Sequence, residues 1–371
     1  MKNSVQLFKS LVNQDGSIVI FIALALVMLL GFAALAVDIG HITVTKNELQ
    51  NISDAASLAA TRKLGSNYEN MPWEEQQIYV ANPAELIAIA KDVGLKNQAG
   101  KMNITINDAD VIIGTWNAQT KTPTPTLDQP DAVRVIARRS SSSAEGPISN
   151  IFAKILGRDT TNVEADATAA LTGQSTAGEG GLPVPIGISA RWFETPNFCN
   201  QSIRFYPTGS PDGCAGWTTY TDDFYDRRPP NTDKLRDIID ALGDGLRSPP
   251  ATANETYFEF VGGNLANTLN NFRNLFNIMK VLNDGDLDAD LDSTTWTTAV
   301  AVYSYEGLST PCANPNIPLK ILGFSTVTIF NVLAPPDGQL VEARVKCDYV
   351  EPARGGGGEY GTKGSIPGLV E

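Results

Sequence analysis

The chain has 371 residues, 42% of them apolar and 19% charged, with a net charge of −13. That balance fits folded protein rather than disorder, and the length allows more than one domain with its own core. Its acidity argues against nucleic acid and anionic lipid surfaces as electrostatic partners of the body, because both would repel it.

The first element in chain order is an uncharged apolar run, residues 18–37, IVIFIALALVMLLGFAALAV. As a helix it would be about 30 Å long, enough to cross the hydrocarbon core of a bilayer. Lys2 and Lys9 precede it, Asp38 follows it, and the next basic residue is Lys46. Basic residues stay on the cytoplasmic side, so the spacing predicts a cytoplasmic leader (1–16), a transmembrane helix (17–37) and an exported remainder. Ala34-Leu35-Ala36 is the alternative, a signal-peptide cleavage site. Against it, Leu49, Ile52, Ala56, Ala59 and Ala60 recur at helical spacing, so one helix is expected to continue to residue 64 and end at Gly65.

Residues 83–93 predict a second helix ended by Gly94. The period then shortens. Residues 103–106, 110–116, 132–137 and 162–171 read as strands, with an exposed Pro/Thr connection at 122–125 and a short helix at 148–156 closed by Gly157. A long helix beside a small antiparallel sheet is the plan of pilins and pseudopilins, and it gives the module 38–173. The sequence QSTAGEGG marks a linker at 174–181. Beyond it, residues 182–371 form a second, β-rich domain. Its expected strands are 184–188, 203–206, 257–261, 297–305, 320–333 and 340–345, its helices 233–242 and 265–282, and its flexible spacer 355–358. The expected fold class is therefore α+β: a transmembrane helix running into a pilin-like helix-plus-sheet domain, followed by a mixed, disulfide-containing domain.

All four cysteines, Cys199, Cys214, Cys312 and Cys347, lie in that second domain, and an even count in an exported region favours disulfides. The nearest-neighbour pairing, Cys199–Cys214 with Cys312–Cys347, is expected. Around the first pair cluster Trp192, Phe193, Phe198, Phe205, Tyr206, Trp217, Tyr220, Phe224 and Tyr225, which read as a stapled aromatic core rather than a ligand face. Asp284, Asp286, Asp288, Asp290 and Asp292 alternate in NDGDLDADLDSTT and read either as a solvated acidic loop after a helix or as ligands for calcium, the one cofactor the sequence raises. The EF-hand pattern fails, however, with Ala289 for its Gly and Thr295 for its Glu. His41 is the only histidine, so no Ser-His-Asp or Cys-His system can be built in the exported body, and a non-enzymatic role is expected.

Residues 16–65 resemble the N-terminal module of TadE/TadG-like proteins of the tight-adherence (Flp) pilus system. The resemblance rests on Gly16-Ser17 opening the apolar run, on Asp38-x-Gly40 after it, and on Leu49-Gln50-x-x-x-Asp54-Ala55-Ala56-x-x-Ala59. The stretch FAKILGRDTTNVEADATA, residues 152–169, resembles the end of that module. Prepilins are cut after a Gly and carry Glu five residues on. Here Gly16 is followed at that distance by Phe21, which makes processing after Gly16 doubtful and suggests an anchored component rather than a repeating filament subunit. The D-x-S-x-S motif of a von Willebrand A-type domain, carried by many TadG relatives, is absent from the sequence. The resemblance implies a minor pseudopilin-like assembly component in the bacterial inner membrane. Its partners would be other pilus or pseudopilin subunits and secretion components, and not nucleic acid. The alternative is a surface adhesin or ligand-binding protein that shares the anchor.

Overall fold

A computed structural model describes residues 15–205, 213–262, 267–282, 294–310, 312 and 315–370. Helix α1 spans Asp15–Glu69, 55 residues without a break. It overruns the expected stop at Gly65. A Cβ at that position would lie 2.1 Å from the Ser365 carbonyl oxygen, so the glycine permits a close crossing of backbones and does not cap the helix. The helix ends ahead of Pro72, which begins the short α2, Trp73–Gln76. Helix α3 (Pro83–Lys96) likewise runs past Gly94, whose missing Cβ makes room for the Ile104 carbonyl 2.6 Å away.

The molecule divides into two compact units. One holds the described residues up to Ala56 with Ala90–Val111 and Val135–Ala167. The other holds Ser57–Ile89, Ile112–Arg134 and the described residues from Thr168 onward. A five-stranded sheet is built from β1 (Val111–Asn117), β2 (Thr122–Pro125), β3 (Ala132–Arg139), β4 (Val163–Ala170) and a two-residue strand near the C-terminus, Gly368–Leu369. Its spatial order is β2-β1-β3-β4 and then that last strand. The Pro/Thr stretch expected as a connection is thus an edge strand, where proline's missing N–H is harmless. In place of the expected helix at 148–156 stand a strand at Ile148–Ser149 and a 3-10 turn at Ala153–Leu156, closed by Gly157 at φ 78°.

In the first unit, Leu49, Ile52 and Ala56 are buried on one face of α1. Ser53 Oγ accepts from Ala137 N (3.2 Å) and donates to the Ala165 carbonyl (2.9 Å). Gln50 Nε2 donates to Asp54 Oδ1 (2.8 Å) and to the Asp166 carbonyl (2.9 Å). Small residues let the helix approach the strands, and the polar ones fasten it there. Arg139 is buried, and its charge is met by the Ala99 and Gly146 carbonyls, both at 2.9 Å.

In the second unit, strands β5 (Ile186–Ser189), β6 (Ser202–Phe205), β7 (Ala215–Tyr220), β8 (Tyr257–Val261), β9 (Trp296–Tyr303), β10 (Leu319–Leu333) and β11 (Leu340–Val345) form a seven-stranded sheet. Its order is β6-β11-β10-β8-β7-β5-β9, and β9 pairs back onto β10, so five strands close into a ring. Helices α4 (Thr232–Gly243) and α5 (Thr268–Leu282) pack on each other, and Phe272 of α5 meets Trp217 edge-on at 5.2 Å. The aromatic cluster is core for the most part: Trp192, Phe205, Trp217 and Tyr220 are buried, and Phe193, Phe198 and Phe224 pack against them. Tyr225 is exposed. Tyr206 lies outside the described residues.

The disulfides are Cys199–Cys347 and Cys214–Cys312, not the nearest-neighbour pairs. Strand pairing explains the first: β6 lies antiparallel to β11 with Ser202 opposite Arg344, which carries Cys199 to Cys347. For the second, β5 runs beside both β7 and β9, and Pro315 packs on Gly216, so the segment after β9 reaches Cys214. The stretch 174–181 and the expected flexible spacer 355–358 both make backbone hydrogen bonds. Gln174 N donates to the Thr362 carbonyl (3.0 Å), and Thr176–Ala177 pairs with Ala251–Thr252. Within the expected spacer, Gly357 N donates to the Gly173 carbonyl (2.8 Å), and a Cβ on Gly357 would strike the Gln174 carbonyl at 2.1 Å. In the spacer, Gly357 allows this close approach where mobility had been expected.

Candidate functional site: an apolar helix and a carboxylate-clamped turn

Along α1, large apolar side chains from Val19 to Val37 are exposed, and among the described residues this helix alone is long and apolar enough to cross a membrane. Leaving such a run in water would forfeit the burial of each Leu, Ile and Phe, about 1.5–3 kcal/mol per side chain. The run is therefore a candidate membrane anchor.

Where the run ends, Asp38 is 4% exposed. Its Oδ1 accepts from Ile151 N at 2.7 Å and its Oδ2 from Ala153 N at 2.6 Å, while Phe152 N reaches both oxygens at 3.2 and 3.0 Å. Three consecutive N–H groups at the start of a 3-10 turn thus share one carboxylate, a charge-assisted cap. Burial raises the pKa of Asp38. The N–H donors of Ile151, Ala153 and Phe152, helped by His41, outweigh that and hold the carboxyl below its usual range.

Asn150 pins the far side of the turn. Its N donates to the Asp159 carbonyl, its Nδ2 to the Arg158 carbonyl, and its Oδ1 accepts from Thr161 Oγ1, each at 2.9 Å. Held this way, the turn presents Ile151, Phe152, Ile155 and Leu156 outward. Phe152, Ala153, Ile155 and Leu156 line a shallow cleft of about 170 Å³ with Gly31, Ala34, Leu35 and Asp38 of α1. This arrangement can hold an apolar surface. It offers no acid–base pair and no nucleophile.

The sequence places Asp38 as the residue that ends the apolar run, or as a partner for a basic residue of a neighbouring subunit. Its role as a clamp is not legible there, because its partners are backbone groups more than 110 residues away. The five expected calcium ligands, Asp284 to Asp292, lie outside the described residues. Among the described residues, no group of three or more His, Cys, Asp or Glu could hold a metal ion.

A second polar cluster belongs to the second unit. Asp131 Oδ1 accepts from Trp116 N (2.6 Å) and its Oδ2 from Lys363 Nζ (2.8 Å), with Asp348 3.4 Å from the same amine. Burial lowers the Lys363 pKa, and Asp131, Asp348 and Glu359 raise it by more, so the amine stays charged. Nearby, Gln76 is buried. Its Nε2 donates to the Tyr68, Met71 and Val350 carbonyls, and its Oε1 accepts from Val350 N. These groups satisfy one another and read as a structural joint.

Comparison with known families gives two matches. A family model described as Flp pilus-assembly TadE/G-like matches residues 16–63, and one described as Tad-like Flp pilus-assembly matches residues 45–169. No curated protein and no solved structure matches the chain. The first match covers most of α1, and the two together end within β4, so they contain Asp38, the Gln50–Asp54 pair, Ser53 and the clamped turn. The resemblance read over residues 16–65 and again over residues 152–169 thus falls on matched sequence: residues 16–63 match the TadE/G-like model and residues 45–169 the Tad-like model of Flp pilus assembly.

Proposed function

We propose that this chain is a membrane-anchored, exported component of a Flp-type pilus assembly system, minor pseudopilin-like, that works by protein–protein association. The observation that carries the reading is the exposed apolar run Val19 to Val37 inside the family-matched segment. Residues 17–37 span the inner membrane with the N-terminus cytoplasmic, in line with Lys2 and Lys9 before the run and Asp38 after it. The remainder folds on the exported side, where two disulfides are at home. Phe21, in place of the carboxylate expected of a filament subunit, fits a protein that anchors an assembly instead of repeating along it.

Deletion of the gene in its host tests this role. Loss of surface pili, restored by the full chain and not by a chain lacking residues 18–37, is the expected result. Unchanged pili with lost surface attachment would instead favour the adhesin.

A further inference from the structure

We propose that the Asp38-clamped turn is a second membrane contact: Ile151, Phe152, Ile155 and Leu156 enter the outer edge of the same bilayer that residues 17–37 cross. This inference rests on the anchor reading above.

Depth is the first reason. The turn lines a cleft with Gly31, Ala34 and Leu35, which precede Val37 by six, three and two residues. At about 1.5 Å per helical residue, these positions lie roughly 3–9 Å inside the end of the apolar run. That is about the 5–10 Å at which interfacial segments bury their apolar faces. If residues 17–37 span the hydrocarbon core, the turn cannot stay against Leu35 and remain in water.

Exposure is the second reason. Ile155 and Leu156 are 82% and 84% exposed, on a turn whose backbone is fixed at both ends by Asp38 and Asn150. The exposed apolar groups are continuous with those of Leu35 and its neighbours on α1, so one solvent serves both. Backbone chemistry is the third reason. Burying a turn in lipid demands that its N–H groups be satisfied, and Asp38 satisfies Ile151, Phe152 and Ala153 while Gly157 N and Arg158 N donate to the Lys154 and Ala153 carbonyls. Lys154 and Arg158 flank the apolar pair in the chain and are exposed, with Asp159 after them. Apolar contact must supply the attraction, since a body of net charge −13 gains nothing from anionic lipid.

The test uses the full chain with both disulfides formed, reconstituted in vesicles of phosphatidylethanolamine and phosphatidylglycerol. Leu156→Cys carries a nitroxide label, Ile155→Cys is the second variant, and Lys121→Cys is the water-exposed control. The expected result is a label at 155 and 156 that collides with dissolved oxygen at least threefold more often, relative to a water-soluble nickel chelate, than the label at 121. A label at both positions as open to the nickel chelate as that at 121, in protein that still resists carbonate extraction, would overturn the membrane contact and leave the anchor reading intact. Shielding from both reagents would also overturn it, in favour of a neighbouring protein. Protein released by carbonate would instead contradict the anchor reading itself.

Discussion

At the residue scale, two carboxylates are held by different partners, one by backbone N–H groups and the other by side chains. Asp38 serves three N–H groups at once. Asp38→Ala should strand those donors and loosen the turn. Asp38→Asn keeps one carbonyl acceptor and should loosen it less. Limited proteolysis of reconstituted protein, followed at residues 151–158, checks the order Ala, Asn, parent. Glu69 is the second case. Burial raises its pKa, but hydrogen bonds from Ser365 Oγ and Arg62, with the Arg62 charge, lower it by more. A depressed folded pKa contributes stability that is fully present above the usual value near 4.5 and is lost as the pH falls through the folded value. Glu69→Gln should therefore lower the melting temperature at pH 7 and flatten its fall between pH 5 and pH 3. An unchanged acid slope would contradict the assignment.

At the element scale, α1 carries glycines with different jobs. Gly40 has nothing within 4 Å of a would-be Cβ, whereas Gly65 meets the Ser365 backbone. Gly40→Ala should be neutral or stabilising by up to about 1 kcal/mol, as expected in a helix interior. Gly65→Ala should destabilise by about 1–3 kcal/mol despite the same propensity gain, because it forces the strand Thr362–Ile366 away. Paired denaturation curves decide this. The glycines also show why the sequence was only partly readable. Period and length gave α1, α3, α4 and α5 and most long strands, because each signal is local. Gly65, Gly94 and Gly357 looked like stops or spacers and proved to be close approaches, since that distinction depends on where the backbones of Ser365, Ile104 and Gln174 lie, which no local signal gives. The same limit governed the cysteines: sequence distance favoured Cys199–Cys214, but β6 pairing with β11 decided for Cys347. Peptide mapping without reduction should recover Cys199 joined to Cys347 and Cys214 to Cys312. Loss of either bond should cost about 2–5 kcal/mol.

At the scale of the whole molecule, one helix supplies both a largely exposed apolar run and, further along, the buried face on which strands are laid. The clamp at Asp38 stands where the two stretches meet. Family matching ends at residue 169, and the chain beyond that point builds a closed ring of strands carrying two disulfides. Everything assigned to function depends on residues 18–37 remaining attached to the folded body and lying in lipid. Membrane fractionation of the native protein, with N-terminal sequencing of the membrane-bound material, measures this directly. A carbonate-resistant protein whose first residue lies at or before Ser17 is the predicted result. A soluble protein beginning at Val37 or later would contradict it.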